Sequence, residues 1–415
     1  MQLLIRNIRQ LVTARSDGKP FLAGKDMRDP GVLEHVSVLI EGEKIRGIGP
    51  AASFDQSLAD DATVLDASPY VALPGFVDSH THMVFAGSRE NEFAMRAKGI
   101  SYDEIAAAGG GILSTVKATR AASKKELKKL ASKRLDAMMK HGTTTVEIKS
   151  GYGLNEESEI KMLEAINELA EEHFMTIVPT FLGAHALPPE FKDDRQGYID
   201  QLCERMLPYI AKRKLARFCD VFCEENYFTV QEAAVILGKA LALGLKPKLH
   251  ADEFKAIGGT PLAAELQAVS VDHLEHLNEA GLQALQKGNT VAVLLPGVSF
   301  FLRNPYAPAR RLIDAGVPVA IASDFNPGSC MAFSMPLMMT IACTQMGMTP
   351  EEAIVAATLN GAAAVGASDT LGSIEVGKQA DMMLYDVPNY RFLAYHFGVN
   401  HVAGVIKRGV LLEFP

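Results

Sequence analysis

The sequence is poor in the features that would direct it to a membrane or to nucleic acid. None of the apolar runs in its 415 residues approaches the ~18 residues that span a bilayer. Arg6 and Arg9 interrupt the apolar N-terminal stretch, which spoils it as a signal-peptide core. There is no long basic run, and the formal net charge is −8. We therefore expect neither nucleic acid nor a membrane surface as a partner.

Cysteine is also scarce, with five residues in the whole chain. An odd number in a chain of this length is typical of a reducing compartment, so we expect a cytoplasmic protein. Cys219 and Cys223 form a CxxxC pair, but no second pair lies near enough in the sequence to complete a zinc site. We therefore predict that these cysteines are buried free thiols.

The middle of the chain alternates short apolar runs with longer amphipathic segments, from about residue 70 to 330. Hydrophobic residues make up 48% of the chain, enough for a large core. Eight apolar runs alternating with helical segments indicate an α/β fold, a (β/α)8 TIM barrel, and the span matches the ~250 residues typical of one. The runs end near His82, Lys149, His185, Glu224, His250, His273, Gly297 and Asp324.

Two of the segments between these runs carry explicit helix signals. Ser123 and Glu126 form a capping box at the start of an apolar stripe of helical spacing. Gly142 lies where a C-terminal cap belongs. Asn155 is placed to cap the next helix. Both segments are therefore predicted to be the helices that follow barrel strands.

The two ends of the chain differ from the middle. Residues 1–68 contain short β-like runs, including a hairpin around Glu41–Glu43, and residues 366–415 contain more of them. Neither end has enough apolar residues for a core of its own. We expect both ends to build one small β-sandwich beside a barrel of residues 69–365. The Gly-rich stretch at 106–116 lacks the GK[ST] of a phosphate loop and predicts a mobile loop near the barrel mouth.

The stretch PGFVDSHTH places two histidines, His80 and His82, at the end of an apolar run. Positions i and i+2 of a strand share a face, so both imidazoles can point at one transition metal. Taken alone, such a pair is better explained as two polar residues where a strand meets water. A barrel brings all its strand ends to one rim, which favours a joint site. The other candidates at strand ends are His185, His250, His273 and Asp324.

A histidine pair on strand one, a histidine on strand five and an aspartate on strand eight resemble the amidohydrolase superfamily. The resemblance implies four metal ligands, which are His80, His82, His250 and Asp324. Three imidazoles and one carboxylate suit a single zinc or iron ion and leave a position for water. The sequence does not choose between zinc and iron.

Lys149 needs a separate interpretation within this resemblance. Binuclear members of the superfamily bridge two metals with a modified lysine on strand four. Lys149 ends strand two, and strand four, FCDVFCEE, contains no lysine. The spacing of His250 and Glu253 is similar to the mononuclear branch. We therefore expect one metal ion per chain and an unmodified Lys149.

A closer resemblance covers nearly the whole chain. The segments FAGSRENEF, GTTTVEIKSGYGL, FLGAHALPPE, LHADEF, SDFNPGS and YHFGVNHV together resemble the imidazolonepropionase family. That resemblance implies a hydrolase that opens the ring of 4-imidazolone-5-propanoate to give N-formimidoyl-L-glutamate in histidine degradation. It also implies a homodimer.

The same resemblance gives the catalytic residues their expected roles. Asp324 ligates the metal and accepts a proton from the attacking water, and His273 holds that water in place. Glu253 carries a proton to the departing ring nitrogen. His185 either polarises the carbonyl oxygen or binds the ring.

A further set of residues is expected to bind the substrate. Arg89, on the loop that leaves strand one, suits the propionate carboxylate because a guanidinium pairs with it in a fork. Without the resemblance, Arg89 would be interpreted as a solvated surface arginine. The expected substrate-binding residues are Arg89, Tyr152, His185, Glu253, Asn326, Gly328 and Ser329.

Two other functions are compatible with parts of this pattern. A guanine or cytosine deaminase of the same superfamily would keep the metal ligands and Glu253, but its base-binding pocket has no use for a carboxylate-binding Arg89. A non-catalytic barrel used as a scaffold is expected to have lost metal ligands, and all four are present in this sequence.

Overall fold

The computed structural model describes residues 2–100, 104 and 109–412. Its strands, in chain order, are β1 (Gln2–Val12), β2 (Val32–Glu41), β3 (Lys44–Gly49), β4 (Thr63–Asp66), β5 (Val71–Pro74), β6 (Phe76–Asp78), β7 (Thr143–Lys149), β8 (Thr176–Ala184), β9 (Phe218–Cys223), β10 (Lys246–Ala251), β11 (Ser270–His273), β12 (Val291–Leu294), β13 (Val319–Ile321), β14 (Met382–Tyr385), β15 (Val402–Lys407) and β16 (Val410–Leu412).

The α-helices of the described residues alternate with the strands of the middle region. They are α1 (Glu90–Ala97), α2 (Ile112–Ala121), α3 (Lys124–Lys140), α4 (Glu156–Glu172), α5 (Arg195–Gln201), α6 (Leu207–Arg213), α7 (Val230–Ala242), α8 (Gly259–Glu265), α9 (Glu279–Leu285), α10 (Pro296–Leu302), α11 (Ala309–Asp314), α12 (Met335–Gln345), α13 (Pro350–Ala357), α14 (Leu359–Ala364) and α15 (Phe392–Tyr395). One π-helical turn, Leu202–Met206, joins α5 to α6. Within the described ranges, none of the helices has both the length and the apolar character needed to cross a bilayer.

Strands β6 to β13 form one parallel sheet in sequence order, and this confirms the predicted eight-stranded barrel. The seam between first and last strand is closed by the residues that follow them. The amide of Asp324 donates to the carbonyl of His80, and the amide of His82 donates to that of Phe325, each at 3.0 Å. Asp78 accepts hydrogen bonds from Ser323 across the same seam. The first expected ligands therefore lie on the line where the barrel closes.

The remaining strands form a second, mixed sheet from both ends of the chain, as predicted. Its order is β16-β15-β14-β5-β1-β2-β3, with β4 also paired to β1. The expected hairpin around Glu41–Glu43 joins β2 to β3 in antiparallel register. A separate apolar cluster, including Ile5, Val38 and Met382, fills this sheet's interior side. The two ends therefore share one core, which neither could build alone.

The apolar run VALPGFV is divided between the two sheets. β5 pairs with β1 and β14 in the terminal sheet, whereas β6 begins the barrel beside β7. Gly75 lies at the crossing, where a Cβ atom would be 2.7 Å from Cβ of Thr144. Only a residue without a side chain fits between the sheets at this point. The terminal sheet thus extends past residue 68, where we expected it to end.

The predicted helix caps are confirmed, whereas the predicted Gly-rich loop is only partly so. Ser123 and Glu126 form the predicted capping box of α3, and Asn155 caps α4 through the amide of Ser158. Gly142 follows α3 with a φ of +91°, as expected of a C-terminal cap. Of the Gly-rich stretch at 106–116, residues 106–108 lie outside the described residues. The loop prediction is wrong for its second half, because Ile112 begins α2.

The cysteines are free thiols, as predicted. Four of them are buried and Cys343 is partly buried. Burial raises the pKa of the Cys223 thiol to about 12. These side chains therefore pack as small apolar groups of the core.

Candidate active site

Four side chains that follow three different barrel strands meet at the mouth of the barrel. Nε2 of His82 lies 3.3 Å from Nε2 of His80 and 3.5 Å from Nε2 of His250. Oδ1 of Asp324 lies 3.4 Å from Nε2 of His80 and 3.3 Å from Nε2 of His82. All four residues are buried, none with a relative exposure above 3%. The structure thus brings together the complete set of expected ligands.

The close packing of these ring nitrogens and the carboxylate oxygen fits a bound cation. Burial lowers the pKa of His80 well below its usual value and that of His250 to about 4, so both rings are neutral at pH 7. Oδ1 of Asp324 has no hydrogen-bond partner among the described residues. Nitrogen lone pairs and a carboxylate oxygen packed this closely repel each other unless a positive charge joins them. Imidazole and carboxylate donors suit zinc and non-haem iron.

Two carboxylates lie behind the imidazoles. Oδ2 of Asp272 lies 2.6 Å from Nδ1 of His80, and Oδ2 of Asp220 lies 3.0 Å from Nδ1 of His250. The hydrogen bond with Asp272 places the ring proton of His80 on Nδ1, and the charge of Asp220 favours the same tautomer of His250, so that the lone pair of each Nε2 points to the centre of the site. These second partners are typical of histidines that bind metals.

Sequence reasoning did not find Asp220 or Asp272, nor the buried charges around them. Lys149 lies among Asp220, Asp272 and Glu147, and Lys248 lies 3.1 Å from Glu147. Burial works against the charged form of Lys149, but the three carboxylates outweigh it and raise its pKa above the usual value. The sequence did contain a signal for two of them, because Asp220 and Asp272 are each the single carboxylate of a short, fully buried strand.

The mouth of the barrel opens into a cavity of about 820 Å³ above these ligands. Apart from His80, which lies below the cavity surface, every expected site residue lines it. These are His82, Arg89, Tyr152, His185, His250, Glu253, His273, Asp324, Asn326, Gly328 and Ser329. The chain therefore folds so that residues from far apart in the sequence face one space.

Glu253 and His273 form a pair beside the ligands. Oε2 of Glu253 lies 3.6 Å from Nε2 of His273, and Oε2 of Glu275 lies 3.5 Å from Nδ1 of the same ring. Burial raises the pKa of Glu253 to about 8. Burial lowers the pKa of His273, but Glu253 and Glu275 outweigh it and raise that pKa to about 10. The pair therefore holds protons that can move near neutral pH.

His185 is held on the wall of the cavity with a defined tautomer. Its ring stacks on His82 with centroids 5.0 Å apart, and its Nδ1 lies 3.0 Å from the carbonyl oxygen of Gly151. A carbonyl oxygen only accepts, so Nδ1 carries the proton. Burial lowers the pKa of His185 well below its usual value, which keeps the ring neutral. Nε2 is therefore a hydrogen-bond acceptor.

Tyr152 lies against both histidines, 5.8 Å from the ring of His82 and 5.4 Å from that of His185. Its side chain is buried, at 3% exposure. Burial, together with the charge of Asp324, raises the pKa of the phenol above its usual value. The hydroxyl therefore keeps its proton and can donate a hydrogen bond into the cavity.

Arg89 reaches the cavity from the loop after strand β6. Its Nε donates to Oε2 of Glu92 at 2.8 Å, and Glu92 also accepts from the amide of Gly111. The guanidinium lies against the backbone of Gly328, where a Cβ atom would be 3.0 Å from Cζ of Arg89. Glu92 and Gly328 thus fix the position of the cation.

The loop after strand β13 is organised by Asn326. Its Oδ1 accepts from the amides of Gly328 and Ser329, at 2.7 and 2.8 Å. Its Nδ2 donates to the carbonyl of Asp324 at 2.8 Å and to Oγ of Ser329 at 2.7 Å. The loop is therefore rigid, and Asp324 is held with a φ of +47°. Backbone conformations of this kind are typical of functional sites.

Comparison with known sequences places the chain among amidohydrolases. A model of the "Amidohydrolase family" matches residues 240–412. Imidazolonepropionase of Alkaliphilus oremlandii is 48% identical, over 98% of this chain and 97% of its own length. Imidazolonepropionase of Geobacillus thermodenitrificans is 49% identical, over 99% and 97%.

Solved structures share the fold at lower identity. A triazine hydrolase variant superposes with a TM-score of 0.74 at 16% identity, covering 99% of this chain and 94% of its own. Atrazine chlorohydrolase from Arthrobacter aurescens, complexed with zinc, gives 0.70 at 16% identity, over 99% and 95%. At these identities the likeness shows the barrel with its terminal sheet. The curated relatives share nearly half of all residues along almost the full length, and the protein therefore belongs to the imidazolonepropionase family.

Proposed function

We propose that the protein hydrolyses the ring of 4-imidazolone-5-propanoate to N-formimidoyl-L-glutamate, a step of histidine degradation. Family membership supports this activity. The observation that carries it is the shape of the site, in which one cavity holds a set of metal ligands and, on its wall, the cation of Arg89. A substrate made of a small ring with a carboxylate side chain would use the metal ligands at its ring and the Arg89 cation at its carboxylate. The deaminase alternative has no use for Arg89.

We also propose one zinc or iron ion per chain, held by His80, His82, His250 and Asp324. The neutral imidazoles of His80 and His250, the partnerless Oδ1 of Asp324 and the carboxylates behind those two rings support this assignment. When bound, such an ion lowers the pKa of water toward ~7 and polarises a carbonyl oxygen. Lys149 stays unmodified, since its ammonium is surrounded by three carboxylates.

The protein groups around the ligands supply the proton transfers. Asp324 directs Oδ1 at the imidazoles of His80 and His82, and its other carboxylate oxygen can take the proton of the attacking water. His273 donates a hydrogen bond that directs the water at the lactam carbonyl. Glu253, whose pKa burial raises to about 8, carries a proton to the ring nitrogen as its bond to the carbonyl carbon breaks.

His185 serves as a binding residue for the substrate ring. Two roles were open from the sequence, polarisation of the carbonyl oxygen and binding of the ring. A neutral imidazole whose Nδ1 faces the Gly151 carbonyl can only accept at Nε2. It therefore suits an N–H of the imidazolone ring, whereas polarising an oxygen requires a donor.

The remaining residues hold the substrate for attack. Arg89 binds the propionate, as a cation already aligned by Glu92. Tyr152 donates a hydrogen bond from its phenol. The substrate also contacts Asn326, Gly328 and Ser329, which present side-chain and backbone groups on a rigid loop.

Three further expectations concern the oligomeric state, the location and the domain division of the protein. The resemblance to the family supports a homodimer, and the free thiols support a cytoplasmic location. The two sheets support a division of the chain at about residues 68 and 365, although β5 follows residue 68 and still belongs to the terminal sheet.

The proposed activity is tested by incubating the purified protein with imidazolone propionate. Loss of the ring's ultraviolet absorbance should accompany formation of N-formimidoylglutamate, measured by mass spectrometry. Release of ammonia from guanine and cytosine is measured in parallel. Ring opening without ammonia release supports the proposal, and ammonia release from a base with an intact imidazolone would overturn it.

A further inference from the structure

A cluster of five charged side chains lies inside the barrel, directly beneath the proposed ligands. Its members come from four strands of the barrel and are fully buried, each with a relative exposure of 0%. They are Glu147 and Lys149 on β7, Asp220 on β9, Lys248 on β10 and Asp272 on β11. Burying so many charges is unfavourable unless their arrangement serves the fold or the site.

The carboxylates of this cluster contact the proposed ligands from below. Oδ2 of Asp272 lies 2.6 Å from Nδ1 of His80, and Oδ2 of Asp220 lies 3.0 Å from Nδ1 of His250. A carboxylate oxygen accepts, so the hydrogen bond with Asp272 places the ring proton of His80 on Nδ1. Asp220 lies near Nδ1 of His250 without the alignment of a hydrogen bond, and its negative charge favours the proton on that nitrogen. The orientation of both rings therefore depends on the position of two buried oxygen atoms.

Lys149 contacts those same two oxygen atoms. Its Nζ lies 2.7 Å from Oδ2 of Asp220 and 3.4 Å from Oδ2 of Asp272. Oε2 of Glu147 lies 2.9 Å from Nζ on a third side. The ammonium thus links the carboxylate behind one ligand to the carboxylate behind another.

We propose that Lys149 is a positioning residue for the metal centre, holding Asp220 and Asp272 so that His80 and His250 both direct Nε2 at the ion. Without the ammonium, two buried carboxylates would repel each other and move apart, and their rings would lose a fixed orientation. The inference rests on the proposed function, because it takes His80 and His250 as ligands.

A purely structural role is the competing explanation, and Lys407 offers a matched control. The Lys407 side chain is also 0% exposed, and its Nζ lies 2.6 Å from Oδ2 of Asp381 and 2.8 Å from Oγ1 of Thr176. It belongs to the terminal sheet and has no contact with the proposed ligands among the described residues. Lys407→Met therefore removes a buried ammonium that is paired with a carboxylate at a distance from the site.

The experiment compares Lys149→Met with Lys407→Met by two measurements. Proton-nitrogen correlation spectra of metal-free, ¹⁵N-histidine-labelled protein show which ring nitrogen carries the proton, with signals assigned by single His→Gln variants. Competition with a chromophoric chelator gives the Kd of zinc. In the wild type, we expect Nδ1–H rings at His80 and His250. In Lys149→Met, both rings should lose this single tautomer, and the Kd should rise ~10- to 100-fold.

Lys407→Met should change neither measurement. An unchanged tautomer at both histidines in Lys149→Met would overturn the proposal, as would a wild type without Nδ1–H at these rings. An equal rise in Kd in the two lysine variants would also overturn it, because a general loss of packing would then explain both. If Lys149→Met does not fold, Lys149→Gln is measured instead, since it keeps a donor near Asp220 but lacks the charge.

A third variant tests the contact of Asp220 with His250 separately from the contact of Asp272 with His80. Asp220→Asn should disturb the tautomer of His250 and leave that of His80, which faces Asp272. Changes at both rings, or at neither, would contradict the assignment. The tautomers are measured without metal, so they test this inference even if the wild-type protein binds no zinc. That last result would instead refute the proposed metal centre.

Discussion

Gly328 provides a test of how the substrate carboxylate is bound. A methyl group built on this residue would overlap Nη1 of Arg89 and lie 3.0 Å from Cζ. The backbone of Gly328 is not in the left-handed region, so alanine is tolerated by the chain itself. Glu92 holds the other side of the guanidinium at 2.8 Å. In Gly328→Ala, the fold should therefore remain and the cation should be displaced.

The expected magnitude follows from the hydrogen bond that is lost. A hydrogen bond to a charged group contributes roughly 1.5–3 kcal/mol, which corresponds to a fall of roughly 10- to 150-fold in kcat/KM. Since the propionate is remote from the scissile bond, it is held similarly in the ground and transition states. Most of the loss should therefore appear as a higher KM, with kcat nearly unchanged.

A double-mutant cycle with Arg89→Met distinguishes this explanation from a general distortion of the loop. Steady-state kinetics are measured for the wild type, both single variants and the double variant, and circular dichroism checks the fold. If the methyl group acts through Arg89, it should cost little once Arg89 is gone, so the losses are strongly non-additive. Additive losses in kcat/KM would refute the reasoning, because Gly328 would then act independently of the guanidinium.

Three further variants test the other parts of the site. His82→Ala should lose both bound metal, by elemental analysis, and activity, and full metal occupancy would exclude His82 as a ligand. Glu253→Gln should keep metal and KM but lower kcat by ~10²–10⁴, and a near-normal kcat would transfer the proton step to another group. Lys407→Met should lose roughly 3–5 kcal/mol of stability in urea unfolding, because Asp381 remains buried without its partner. Its KM should equal that of the wild type.

The strand ends could be predicted from the sequence because a barrel imposes a simple rule on them. Each apolar run that finishes in a polar residue delivers that residue to the same rim. His250, His273 and Asp324 were placed in this way, and the structure brings them together at the barrel mouth. Helix limits at Ser123 and Asn155 followed from caps, whose geometry is local.

What the sequence did not reveal depends on contacts between distant segments. Asp220 and Asp272 appear in the sequence as single carboxylates within short strands, and Lys248 as one of two lysines in its strand. Nothing nearby in the sequence identifies their partners. The division of VALPGFV was missed because an apolar run does not show which sheet it joins. The tautomer of His185 depends on the carbonyl of Gly151, which lies 34 positions earlier in the chain.

The crossing at Gly75 has a consequence for the order in which the protein folds. β5 is followed at once by the first barrel strand, but its partner β14 is roughly 300 residues later in the chain. During synthesis on the ribosome, β5 cannot pair with β14 until the whole barrel has been translated, because β14 follows the barrel in the chain. Until then, one edge of β5 offers unpaired backbone groups to other chains. Slow synthesis, or a ribosome stalled before β14, should therefore favour aggregation, and the barrel must fold next to an unfinished sheet.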